Sequence, residues 1–103
     1  MGYEMSEYEL PQRITVKKQS PTGEHIAKIL YEEKSKSYFL AIEGNSGMQT
    51  ILDKKLVPYI GYHDPLITLS WRNADIVIIE VDHDFGTGNL LYEFNIRKMD
   101  FKQ

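Results

Sequence analysis

The run Asp82-His83-Asp84-Phe85-Gly86-Thr87-Gly88-Asn89, with Glu93 beyond it, places several metal-ligating side chains within a few residues. Asp82, Asp84 and Glu93 fall at positions one, three and twelve of a calcium-loop frame, where carboxylate oxygens would meet a hard cation. The frame then breaks, because position six requires glycine and holds Thr87, with Gly86 one place early. A solvated turn built from Asp, Gly and Asn explains the same run without a cation. The chain has three histidines, His25, His63 and His83. If His63-Asp64 and Asp82-His83-Asp84 converged at one sheet end, they could ligate zinc or serve as the acid and base of a small hydrolase.

Other catalytic patterns fail on inspection. Ser20, Ser35, Ser37, Ser46 and Ser70 lie at turns or on strands, and none sits in a Gly-x-Ser-x-Gly elbow. Gly86-Thr87-Gly88-Asn89 lacks the lysine and helix that a phosphate-cradling loop needs. The paired carboxylates Glu32-Glu33 belong to a charged turn, where solvation accounts for them. With no cysteine, disulfides, thiolate metal sites and thiol catalysis are excluded. The expectation is therefore no catalytic residue and no cofactor or metal, with Asp82, Asp84 and Glu93 the remaining metal candidates.

A binding role has a different signal. Leu56-Val57-Pro58-Tyr59-Ile60-Gly61-Tyr62-His63 is apolar for a connection, and loops over water are normally polar. It must bury its side chains by closing the open end of the sandwich or forming an irregular edge strand, or else stay exposed in part as a contact surface. If it stays exposed, Tyr59, Ile60, Tyr62 and His63 are the candidate binding residues, since tyrosines give rigid contact area with a polar tip.

The elements that would position these residues are strands. Ile14 and Val16 alternate with polar residues, Leu90, Tyr92, Phe94 and Ile96 alternate again, and Ile67, Leu69 and Trp71 share one face. The segments around Ile29 and Leu40 are apolar on both faces, as in central strands. Turns are marked by Ser20-Pro21-Thr22-Gly23, by the charged residues 32–36, by Gly44-Asn45-Ser46-Gly47 and by Asn73-Ala74-Asp75. The pattern predicts an all-β, antiparallel meander of about seven strands, folded into a small sandwich or partly open barrel. The expected strands are 13–19, 24–32, 37–43, 47–53, 66–72, 75–82 and 90–98, with no helix of note. The expected core comprises Ile14, Val16, Ile29, Leu40, Leu69, Trp71, Val77, Ile79, Tyr92 and Phe94. Residues 1–12 read as a flexible lead-in and 13–103 as a single domain.

Composition narrows the partners. The net charge of −3, from twelve basic and fifteen acidic residues, supplies no positive field for nucleic acid. The longest aliphatic run, Ile76-Val77-Ile78-Ile79, is far short of the ~20 residues a membrane span needs. Met1-Gly2-Tyr3-Glu4-Met5-Ser6 fits a myristoylation pattern, but its acidic setting gives no second membrane signal. The lysines are interspersed with acids and read as solvated faces and edge protection.

Two stretches resemble small bacterial envelope domains of unknown function. Ser20-Pro21-Thr22-Gly23-Glu24-His25-Ile26-Ala27 is similar to their Ser-Pro-Asp-Gly-Lys strand opening, with Thr22 in place of aspartate. The stretch from Ile67 through Trp71, Asn73 and Asp75 to Ile78 resembles their later hairpin. The resemblance implies a β fold outside the bacterial cytoplasm, with a membrane anchor lying outside this sequence, a cytoplasmic location being the alternative. It carries no catalytic residues. The functional expectation is a non-catalytic protein-interaction domain, of immunity or inhibitor type or anchored in the envelope. The alternatives are a small hydrolase using His63, Asp64 and His83, and a ligand-binding or structural domain. Oligomeric state is left open.

Overall fold

Proline at 21 and glycine at 23 reverse the chain after its first strand. In the computed structural model, which describes residues 12–56, 65–82 and 89–102, Gly23 has φ of +79°. Its N–H donates to Ser20 O at 2.9 Å, closing the turn between β1 (Gln12–Gln19) and β2 (Ile26–Glu32). The Glu32 carboxylate accepts the N–H groups of Lys34 and Ser35 at 2.7 and 2.8 Å, which bends the chain into β3 (Ser37–Glu43). Gly47, with φ of +85°, turns the chain into the short β4 (Gln49–Ile51). β5 (Leu66–Trp71) and β6 (Ile76–Asp82) are joined at Asn73, whose side chain accepts from the N–H groups of Asp75 and Ile76. β7 (Asn89–Asn95) and β8 (Asp100–Lys102) follow.

The strands form two antiparallel four-stranded meanders, β1-β2-β3-β4 and β5-β6-β7-β8, stacked face to face and not closed into a barrel. Among the described residues there is no helix. The core between the sheets holds Ile29, Leu40, Leu52 and Leu56 from the first half and Val77, Ile79, Val81 and Phe94 from the second, all at most 2% exposed. Each such side chain contributes about 1.5–3 kcal/mol on leaving water. On one side the edges β1 and β5 run close together, and the Trp71 indole N–H donates to Lys18 O at 3.1 Å. Strand β3 is buried on both faces: Tyr38, Leu40 and Ile42 look into the core, while Phe39 and Ala41 join Leu30 and Ile51 in a second apolar cluster behind the sheet. Beside that cluster Lys28 pairs with Glu43 at 2.5 Å and donates to Gln49 at 2.9 Å.

Three expectations need correction. The expected strand 90–98 ends at Asn95, and a further short strand, β8, follows the next turn, so the described residues form eight strands. The Asn95 side chain accepts from Arg97 N–H and Lys98 N–H at 2.9 and 3.0 Å, turning the chain over residues 96–99 without glycine or proline. Ile14 is 51% exposed rather than core, because the register of β1 on β2 shifts between Ile14 and Val16. That shift turns Ile14 to the outer face opposite Leu30 and leaves Val16 opposite Ile29 on the inner one. The expected strand 47–53 is shorter, and its continuation takes a different path, described next.

Candidate binding cleft

Beyond β4 the chain stays on β3 but loses register. Ile51 lies opposite Ala41, and Leu52 N–H donates to Leu40 O at 2.9 Å. Strict antiparallel pairing would next bring residue 54 to Tyr38, yet it is Leu56 whose N–H donates to Tyr38 O, at 3.0 Å. Two extra residues are therefore looped out. The excursion keeps Leu52 and Leu56 in the core and throws Lys54 across the gap between the sheets. Its ammonium sits 5.6 Å from the Tyr92 ring centre and 5.5 Å from that of Phe101, within cation–π range. The Tyr92 hydroxyl donates back to Leu56 O at 2.5 Å, and burial pushes this phenol above its ordinary pKa.

Between this excursion and β8 lies a cleft of about 370 Å³, at the small end of ligand-sized pockets. Leu52, Phe94, Met99 and Phe101 line it with apolar surface, and Asp53, Lys54 and Asp100 place charge on it. Phe101 packs on Phe94 with ring centres 4.8 Å apart, and on Tyr92 at 6.1 Å. Met99 is held at φ of +55°, a backbone region that L side chains avoid. It also lines a second concavity of about 210 Å³ that includes His25, Thr50 and the exposed Met48.

The cleft borders one edge of the second sheet. Among the described residues nothing pairs with β8 beyond β7. Ile96 N–H donates to Asp75 O on the β6 side, at 2.9 Å. Backbone groups of successive strand residues point alternately to the two neighbours, so Phe94 faces β6 while Glu93 and Asn95 face β8. Lys102 and Asp100, opposite them, bond toward β7. Phe101 therefore directs its own N–H and C=O outward, past the edge of the sheet.

The residues singled out by sequence fall differently. Tyr59, Ile60, Tyr62, His63 and Asp64, and likewise His83 and Asp84, lie outside the described residues. Asp82 lies opposite Asn89, and Glu93 stands four residues further along β7, about 13 Å away at strand rise. Glu93 is held by Arg72 at 3.0 Å. The two described carboxylates of the calcium frame are not brought together, and among the described residues no three His, Asp or Glu side chains are grouped as metal ligands. The described part of the cleft holds no hydroxyl or imidazole beside its carboxylates, so what it offers is apolar contact, charge and two backbone groups. Sequence reasoning missed Leu52, Lys54, Met99 and Phe101. The one local signal was Asp100-Phe101-Lys102, a polar–apolar–polar triplet following the turn-forming Asn95.

Comparison with known protein families, with curated proteins and with solved structures finds no match.

Proposed function

We propose that this chain is a non-catalytic protein-interaction domain that grips an extended segment of a partner in the cleft between residues 52–54 and β8. The observation that carries the reading is an apolar cleft beside a strand edge that no described residue pairs. An added strand takes main-chain hydrogen bonds from such an edge, and alternate side chains gain specificity from adjoining pockets. Here Phe101 supplies the edge N–H and C=O, while Leu52, Met99 and Phe101 form an apolar seat. Methionine adapts to side chains of different shape, and Lys54 offers a cation to an acidic residue flanking the anchor. The Ser20–Ala27 resemblance supports a bacterial envelope as the setting.

Panning a random peptide library on the purified chain tests this. Enriched peptides should carry an aliphatic or aromatic anchor and bind Phe101→Ser at least about tenfold more weakly, as truncation of a central anchor does. Peptides that bind both proteins equally, or no enrichment at all, would remove the cleft as a site for extended peptides.

A further inference from the structure

We infer that one occupant of this edge is a second copy of the chain, joined β8 to β8 about a twofold axis through Phe101. The inference rests on reading the cleft as a protein-binding site, and it names the partner. The triplet Asp100-Phe101-Lys102 is self-complementary when run antiparallel. Phe101 meets the second copy's Phe101, and each donates its outward N–H to the other's C=O. On the outer face Asp100 meets the second Lys102, and Lys102 the second Asp100. An isologous interface demands this match of a patch with itself.

The charge order across the sheet agrees. Arg72 pairs with Glu93 at 3.0 Å, and Glu93 lies opposite Lys102. A second copy would set its own Asp100 beyond Lys102, giving minus, plus and minus on three facing strands, where opposite charges attract. Among the described residues Lys102 and Asp100 make no ion pair within the chain. On the inner face the second Phe101 ring enters the cleft against Leu52, Met99 and the first ring. The result is one continuous eight-stranded sheet across two molecules.

The contact is small. Two backbone bonds, two ion pairs and two aromatic rings fall well below the ~1,600 Å² of a standard stable interface. The dimer is accordingly weak and concentration-dependent. Sedimentation equilibrium of the full chain from about 10 μM to about 1 mM covers the Kd range of such weak pairs, and the average mass should climb toward twice the monomer value. Lys102→Asp puts two carboxylates opposite each other and should weaken association about tenfold or more. The double swap Asp100→Lys with Lys102→Asp recreates the pairs in reverse and should restore association to within about threefold. Both positions are exposed, so circular dichroism should show all variants folded.

A wild-type chain that stays monomeric at the highest concentration overturns the inference, as does association that ignores the single swap or is not rescued by the double one. Selected peptides that bind a strictly monomeric chain at Phe101 would leave the cleft as a binding site and remove only the second copy as its occupant. Failure of the peptides on a chain that does dimerise would instead restrict the cleft to self-association.

Discussion

The bond from the Tyr92 hydroxyl to Leu56 O ties the looped-out segment of the first sheet to the second sheet, and Tyr92→Phe removes it with little change of shape. Phenylalanine keeps the edge-on contact with Phe101 and the Lys54 ammonium over the ring. What is lost is a donor to a carbonyl whose residue is 0% exposed, so water cannot readily replace it. A hydrogen bond with both partners free to rehydrate is worth about 1 kcal/mol; stranding one buried partner raises the cost to about 1–3 kcal/mol. Urea unfolding should show a lower midpoint with an unchanged slope, since little additional surface is exposed. In a domain of this size the loss corresponds to roughly 4–8 °C in Tm per kcal/mol. The effect also has a pH signature. Burial raises the phenol above the ordinary tyrosine value of 10.0, so folding favours the protonated, donating form. That stability is complete below pH 10.0 and is lost as pH rises through the folded value, so wild type and variant should converge in alkali. A variant as stable as wild type at pH 7, or a difference that persists unchanged above that range, would refute the tie.

Two further outcomes follow from the turns. Glu32 has its pKa lowered by the Ser35 hydroxyl, against the opposing effect of burial, and further by the N–H groups of Ser35 and Lys34 and the Lys34 charge. Its contribution is present above the ordinary glutamate value of 4.5 and lost as pH falls through the lowered folded value; Glu32→Gln should flatten that acid limb in urea midpoints taken from pH 7 to pH 3. Lys36 holds φ of +54° with an exposed side chain, so Lys36→Gly relieves a left-handed backbone at no packing cost. Set against glycine's greater freedom when unfolded, the net gain should be about 0.5–1 kcal/mol by thermal or urea unfolding.

The two-sheet architecture was legible because its turns carry local chemistry: Pro21 with Gly23, and Gly44 with Gly47, mark reversals wherever they occur. The β7–β8 turn was hidden because its organiser, Asn95, also fits the polar slot of an alternating strand. Ile14 and Val16 look equivalent in sequence, and only pairing with β2 reveals the shift that separates their fates. Leu52 and Leu56 reach the core from a stretch with no periodicity, since the two-residue excursion between them erases it. The cleft lay beyond sequence reading for a related reason. Its walls come from residues 52–54 and 94–101, and nothing in either segment announces that tertiary packing sets them side by side.

The pairing order of the strands has a kinetic consequence. Among the described residues every strand pairs only with its sequence neighbours, and the first sheet draws on residues 12–51 while the second draws on 66–102. Hairpins of this kind close short loops, so each meander can zip from its own turns without waiting for the other half of the chain. The long-range event is then the docking of the two layers. Trp71 on Lys18 secures one flank of that docking and Tyr92 on Leu56 the other, which makes these two bonds late fasteners: weakening them should speed unfolding while leaving the folding rate nearly untouched.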